Sequence, residues 1–360
     1  KVNRMSNLLS KLAKASTVKH SSVLSESKFF GSKDTTTTDL PILNLAFSGS
    51  LRGGFQSGLT QFAGPSKHFK TNLALFCVKA YLEKHKDAVC LYYDSEFGSP
   101  PAYLETFGIP LDRILHTPII HVEQLKFDLV NQLENIENGD KVIIFIDSIG
   151  NLASKKETED ALDQKSVADM SRAKAIKSLF RIVTPQLTVK DLPCIAINHT
   201  IQTIEHFSRT VVTGGTGITY SSSAVFIMGR AQEKDGTDLA GYNFTINIDK
   251  SRYVREKSKF PLLVTFENGI SKYSGLLDLA QELEFVVKPK NGWFTRVLVD
   301  EKTGEVMEDR NWRAKDTDCD EFWGPLLASE AFKTACSNRF RLGSVAKIDE
   351  EDDEVDYDAE

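Results

Sequence analysis

The sequence predicts an α/β fold with a largely parallel central sheet, preceded by an N-terminal helical arm and followed by a small α+β C-terminal domain. Three observations carry this expectation. Val89–Tyr93, Val142–Ile146 and Pro193–Ile197 are continuous apolar runs, the look of strands covered on both faces. Between the first two, Val122, Leu125, Leu129, Leu133 and Ile136 recur at helical spacing. The apolar runs end in polar residues, which is where open α/β sheets place their chemistry.

Taken in order, Ser6 to about Ala15 reads as a short amphipathic helix with Leu8, Leu9, Leu12 and Ala15 on one side. A Ser/Thr-rich stretch follows, interrupted by Phe29-Phe30 and closing on Thr35–Thr38. Residues 1–40 are thus expected to be an arm and linker whose apolar residues cap the chain's own core or dock on a neighbouring subunit. Alternating strand and helix patterns fill 41–269, the expected catalytic core. In 270–345, Leu276–Glu284 reads as a helix and Phe322–Phe340 as helical. Gly292–Val299 and Glu305–Arg310 read as a hairpin around Thr303-Gly304.

Residues 346–360 are expected to be an acidic disordered tail. Asp349–Glu360 holds nine acids and no base, so the rest of the chain carries +3 against a whole-chain charge of −6. Such a block is solvated by self-repulsion, as a solubilising tail or as a competitor for a basic surface of the same protein. Hydrophobic residues at 41% and charged residues at 26% are ordinary for a globular chain. No apolar run approaches the roughly 20 residues of a membrane span. Five cysteines without a C-x-x-C pair argue against a disulfide framework or structural zinc. A cytoplasmic protein is expected.

The most informative segment is Gly64-Pro65-Ser66-Lys67-His68-Phe69-Lys70-Thr71, followed by Asn72. Upstream, Leu59–Ala63 reads as a buried strand. Downstream, Leu73, Phe76, Cys77, Ala80 and Tyr81 recur at helical spacing. A turn in that context cradles phosphates with backbone N–H groups, Lys70 reaching the β- and γ-oxygens and the Thr71 hydroxyl ligating Mg²⁺. The pattern asks for glycine before the lysine, and Phe69 stands there. From these residues alone a plain strand–turn–helix remains open.

Three strand ends add to it. Val142–Ile146 runs into Asp147-Ser148, a carboxylate suited to Mg²⁺ beside a phosphate cradle. Val89–Tyr93 runs into Asp94-Ser95-Glu96, where a glutamate can orient or deprotonate an attacking water. Pro193–Ile197 runs into Asn198-His199-Thr200, where a polar group can touch the γ-phosphate. Singly, each is also explained as a strand cap, a solvated acid or a structural histidine.

The order of cradle, strand-end glutamate, Asp-Ser strand end and Asn-His before a Gly-rich loop resembles the RecA recombinase family. DSEFGSPPAYL, FIDSIGNLASKKETEDAL, IAINHT, TGGTG and IDKSRYVREKSKF carry the resemblance, with YSGLLDLA and KPKNGWF beyond the core. It covers nearly all of residues 41–325 and implies a RecA-like P-loop ATPase core. The resemblance implies Glu96 as catalytic base, Tyr103 as the ring that stacks on adenine, and Lys250 and Arg252 as cations completing a neighbouring subunit's site. His199 stands where the family has glutamine, so its phosphate-sensing chemistry differs. Two DNA-binding loops are implied, about Ser154–Ser166 with Lys155, Lys156 and Lys165, and about Ile201–Ile218. Gly214 and Gly215 match the pair that approaches DNA phosphates, Arg172 a DNA-contacting arginine, and Arg209 is a weaker candidate. Lys174, Lys177 and Arg181 share one helical face, which solvation explains as well.

The implied activity is a DNA-dependent ATPase that uses ATP and Mg²⁺ to form a helical filament on single-stranded DNA and exchange strands with a homologous duplex. Recombination mediator and single-stranded-DNA-binding proteins are the implied partners, with no membrane. Two alternatives stay open: a RecA-fold hexameric helicase, and an ATP-gated DNA-binding scaffold without turnover.

Overall fold

The computed structural model describes residues 2–18, 21–27, 33–163, 171–203, 209–299, 303–307 and 309–343. The expectations for Phe29-Phe30, Lys165-Ser166 and the acidic tail lie outside them.

Helix α1 (Val2–Ala15) carries Leu8, Leu9 and Leu12 at 55%, 50% and 58% exposure, so these three leucines do not pack on the chain's own core. The linker is not free throughout. Thr36 pairs with Phe55 through two backbone hydrogen bonds, and Gly54 makes this approach possible because a Cβ there would lie 1.9 Å from the Thr36 carbonyl oxygen. Thr38 is locked to Asn44 of α2 (Pro41–Ser48), a helix opened by proline where no N–H is missed.

The core follows as β1 (Gly58–Ala63), α3 (Lys70–Lys84), β2 (Val89–Asp94), α4 (Pro101–Thr106), β3 (Ile114–Pro118), α5 (Val122–Asn135), β4 (Val142–Asp147), α6 (Lys155–Leu162), α7 (Ser171–Val189) and β5 (Pro193–Asn198). A short hairpin, β6 (Thr200–Gln202) and β7 (Thr210–Val212), leads to α8 (Thr216–Ser221), β8 (Ala224–Asp235), β9 (Asp238–Ser251), β10 (Lys259–Thr265) and β11 (Gly269–Ile270). Nine strands form one sheet in the order β11-β10-β9-β8-β1-β5-β4-β2-β3. From β3 to β8 the pairing is parallel; β8 to β11 continue antiparallel.

The apolar runs become central strands because both faces are covered. Side-chain period two divides each strand: Cys90, Tyr92, Ile143 and Phe145 enter the core on the α2/α3 side. Leu91, Tyr93, Ile144 and Ile146 enter the one formed with α5 and α7. The helical stripe predicted on α5 is buried there, Leu125, Leu129 and Leu133 completely. Each such leucine contributes about 1.5–3 kcal/mol by leaving water.

The C-terminal part comprises α9 (Leu276–Glu282), the sheet of β12 (Val286–Lys290), β13 (Trp293–Arg296) and β16 (Trp312–Arg313), the pair β14 (Leu298–Val299) and β15 (Val306–Met307), then α10 (Asp320–Ala328) and α11 (Glu330–Phe340). Of the expected pairing of Gly292–Val299 with Glu305–Arg310 only Leu298 opposite Met307 and Val299 opposite Val306 are found among the described residues, because Trp293–Arg296 pairs with β12 and β16 instead. The helical stretch 322–340 is two helices, because Ser329 adopts extended angles and its side chain accepts from Phe332 N. Among the described residues no helix is long and apolar enough to cross a membrane.

Candidate active site

All the parallel strands deliver their last residues to one edge, and β1, the strand that precedes the cradle, lies between β5 and β8. The turn 64–69 leaves β1 with Gly64 N donating to Asn198 O of β5 at 3.3 Å. Within it Lys67 and Phe69 take left-handed angles, φ 60° and 62°, so the backbone adopts the glycine-like course the pattern requires even though Phe69 is not glycine. The Phe69 ring stacks on Phe244 of β9, centroids 5.0 Å apart, against the main core. His68 folds back on the turn through Nδ1 and the Ser66 carbonyl, 2.8 Å apart.

Lys70 opens α3 and is buried, its Nζ donating to the Pro65 carbonyl of its own loop at 2.7 Å. Burial lowers its pKa, opposed by the nearby Glu96 and Asp147 charges. Thr71 donates to Asp147 Oδ2 at 2.9 Å, joining the two expected metal ligands. Asp147 is 4% exposed and its Oδ1 has no hydrogen-bond partner. Burial, reinforced by the charges of Glu96 and Asp94, pushes its pKa up to about 7 against the Thr71 hydrogen bond. A buried carboxylate oxygen left without a donor, one bond from a threonine hydroxyl, fits a hard divalent cation whose remaining ligands are phosphates and water.

Glu96 follows β2. Three groups converge on its Oε1: the Ser148 hydroxyl at 2.5 Å, the Asn151 amide at 3.0 Å and His199 Nε2 at 3.0 Å. His199 first, then the Ser148 hydroxyl, hold its pKa below the usual carboxylate range although burial opposes them. Beneath it, Asp94 accepts from the Glu96 and Phe97 backbone N–H groups at 3.0 and 2.8 Å and meets His116 Nε2 at 3.0 Å. That turn fixes where Glu96 points. Asn72 and Tyr103 are also brought together, the Asn72 amide donating to the Tyr103 hydroxyl at 2.6 Å.

The remaining expected residues lie elsewhere. Lys250 Nζ donates to the carbonyls of Thr219 and Tyr220 at 2.8 and 3.0 Å, capping the end of α8, and Arg252 is exposed. Gly214 and Gly215 both have positive φ, 93° and 81°, at the entrance to α8. Arg209 is exposed at the loop end of the β6–β7 hairpin, its backbone paired with Thr203. Lys174, Lys177 and Arg181 are exposed on α7, whereas the Arg172 guanidinium turns onto backbone carbonyls.

Sequence reasoning missed several groups. Asn151 and Ser148 carry no sequence signal of their contact with Glu96. Asn198, next to the expected His199, is buried and its side chain joins Gln61 of β1 to Thr213 beyond β7. The first expected DNA loop begins as a helix, α6, opened by a capping box between Ser154 and Glu157. The S-x-x-E spacing that signals such a box was visible in the sequence.

A turn that leads from a central strand into Lys70 and α3, with the Thr71–Asp147 pair and Glu96 beside it at one edge of a mostly parallel sheet, is the arrangement of a P-loop nucleotide-binding protein of the RecA fold. The chain belongs to the RecA recombinase family: the RecA N-terminal domain model matches residues 24–271. The C-terminal domain model of the bacteriophage T4 recombination and repair protein matches residues 273–336. The chain is 56% identical to the recombination and repair protein of Enterobacteria phage T4 (UvsX), over 98% of this chain and 90% of that protein. It is 28% identical to Protein RecA of Bifidobacterium breve over 68% of this chain and 61% of the relative. It is 27% identical to Protein RecA of Chlorobaculum parvum over 71% and 72%.

Proposed function

We propose that the chain is an ATP-dependent DNA recombinase that assembles as a helical filament on single-stranded DNA, pairs it with a homologous duplex and exchanges strands. Membership of the family supports DNA binding, nucleotide binding and filament formation. The observation that carries the reading is the single cluster of Lys70, Thr71–Asp147 and Glu96 at the sheet edge from which the Gly214-Gly215 segment departs.

In this reading the turn 64–69 and Lys70 hold the phosphates, and Tyr103 with Asn72 meets the base. Thr71 and Asp147 would hold Mg²⁺, which supplies charge neutralisation at the phosphates. Glu96 is ionised and its Oε1 is held by three donors, so Oε2 is the oxygen that takes the proton of the attacking water. His199 lies where it links this carboxylate to the segment leading to β6. Lys250 and Arg252 would reach a neighbouring subunit's phosphates, stabilising charge as an arginine finger does. Gly214-Gly215, Arg209 and the exposed α7 cations supply backbone-directed DNA contact, so affinity falls steeply with salt. The domain division at 40, 269 and 345, the oligomerising arm, and mediator and single-stranded-DNA-binding partners belong to the same proposal. The three exposed leucines of α1 support the arm's role.

The test is ATP hydrolysis with and without single-stranded DNA, with the complex imaged in a non-hydrolysable ATP analogue. DNA-stimulated turnover and open helical filaments are expected. Closed rings would replace this reading with a hexameric helicase, and binding without turnover with a scaffold.

A further inference from the structure

Arg172, in the first turn of α7, is placed by family resemblance among DNA contacts. Its guanidinium is occupied inward. Nε donates to the Leu152 carbonyl at 2.6 Å, and Nη2 donates to the Ile149 and Gly150 carbonyls at 2.9 Å each. These three acceptors belong to one short segment that follows β4.

That segment is also the platform for Glu96. Asn151 lies inside it and Ser148 immediately before it, and both donate to Glu96 Oε1. The third partner, His199, is wedged against the same backbone: a Cβ added to Gly150 would lie 1.9 Å from His199 Cδ2. The three side chains that meet Glu96 Oε1 therefore rest on, border or belong to the stretch that one guanidinium grips, while Asp94 holds the Glu96 backbone. Charge-assisted bonds from a rigid planar fork are suited to fixing several carbonyls at once, and a lysine ammonium does not reproduce that geometry.

The same helix meets the second glycine-rich segment. A Cβ on Gly214 would lie 3.3 Å from Ile176 Cδ1, and one on Gly217 would lie 2.7 Å from Lys177 Cγ. Helix α7 thus spans from the platform under Glu96 to the segment proposed to follow the DNA backbone.

We infer that Arg172 is a positioning residue for ATP hydrolysis: by gripping the 149–152 backbone from α7 it sets Glu96 for water activation, and it is not a phosphate contact. This rests on the assignment of Glu96 as base. A misplacement of about 1 Å at such a group costs on the order of 100-fold in turnover.

The test uses the full chain with saturating single-stranded DNA. The variants are Arg172→Ala, Arg172→Lys, Asn151→Ala and the Arg172→Ala/Asn151→Ala double, with Glu96→Gln as reference. Both Arg172 variants are expected to lose about 10- to 100-fold in kcat, with KM for ATP, DNA affinity and its salt slope unchanged. The double variant is expected to fall little below Arg172→Ala alone, because both changes act through one platform. Arg172→Lys keeps charge and bulk, so it remains informative if Arg172→Ala does not fold.

Unchanged kcat in Arg172→Lys would overturn the inference. So would a loss of DNA affinity in Arg172→Ala, with the salt slope reduced by about one, that Arg172→Lys restores. Wild-type turnover in Glu96→Gln would instead remove the base assignment, an outcome distinct from either.

Discussion

Replacing Asp147 by asparagine should stabilise the nucleotide-free protein while removing its activity. Folding carries this carboxyl from 3.8 to about 7, roughly three units, because burial and the charges of Glu96 and Asp94 outweigh its Thr71 hydrogen bond. At 1.36 kcal/mol per unit, the ionised side chain costs at most about 4 kcal/mol of stability at pH 8. Asparagine keeps the shape and can still accept from Thr71, but it forgoes attraction to Lys70. A net gain of about 2 kcal/mol is therefore expected, a rise in Tm of about 4 °C.

The sign of the pH dependence tests the cause. An acid whose folded pKa is raised binds its proton more tightly when folded, so wild-type stability from this group is full below about pH 4. It is lost as pH climbs towards about 7 and changes no further above. The stability gap between Asp147→Asn and wild type should open over that window and then stay level. Thermal melting in EDTA, from pH 4.5 to 8, measures it. Magnesium with ATP should raise wild-type Tm and leave the variant nearly unmoved, since binding to the folded state stabilises by mass action. A gain independent of pH, or a variant less stable than wild type at pH 8, would refute the argument that Asp147 is a buried charge awaiting a cation.

Glu96→Gln should lower kcat by about 10²- to 10⁴-fold while ATP still binds and filaments still form, as read by single-turnover hydrolysis and electron microscopy. Substituting alanine for both Gly214 and Gly215 should abolish strand exchange with ATP binding intact, since each alanine would occupy a left-handed backbone at about 1–3 kcal/mol; unchanged exchange would remove the loop assignment. Phe69→Gly should lie within about 1 kcal/mol of wild type in chemical denaturation, whereas Phe69→Ala should be the less stable variant, keeping the backbone cost and losing the stack.

What the sequence made legible was whatever local pattern encodes. Strands β2, β4 and β5 show as apolar runs because both faces are covered, and their polar ends point to the chemical edge of the sheet. The α5 stripe and the β14–β15 pair around Thr303-Gly304 follow from period and turn residues. The platform under Glu96 was not legible. Asn151, Ser148, Arg172 and His199 meet through backbone carbonyls and tertiary placement, and no spacing in the chain announces that a guanidinium will turn inward to three carbonyls. Lys250 is similar: the resemblance assigns it a phosphate across an interface, while the single subunit satisfies its amine with the last carbonyls of α8. A cation commits to the acceptors within reach, and only assembly changes which acceptors those are.

Phe69 shows what a sequence pattern constrains. The glycine expected before the lysine is absent, yet the backbone takes φ 62°, the left-handed conformation for which glycine is ordinarily required. For a residue with a Cβ that conformation costs roughly 1–2 kcal/mol. The ring recovers a comparable amount, because stacking on Phe244 at 5.0 Å contributes about 0.5–1.5 kcal/mol beyond the apolar area it buries. The stack alone therefore offsets most of the backbone cost, and the turn keeps its shape without its glycine. The consequence is a new dependence: the loop proposed to hold phosphate is anchored to β9, the strand that also carries Lys250. The pattern therefore specifies a path for the backbone, and a bulky residue can satisfy it wherever the surrounding core supplies a surface to hold the ring.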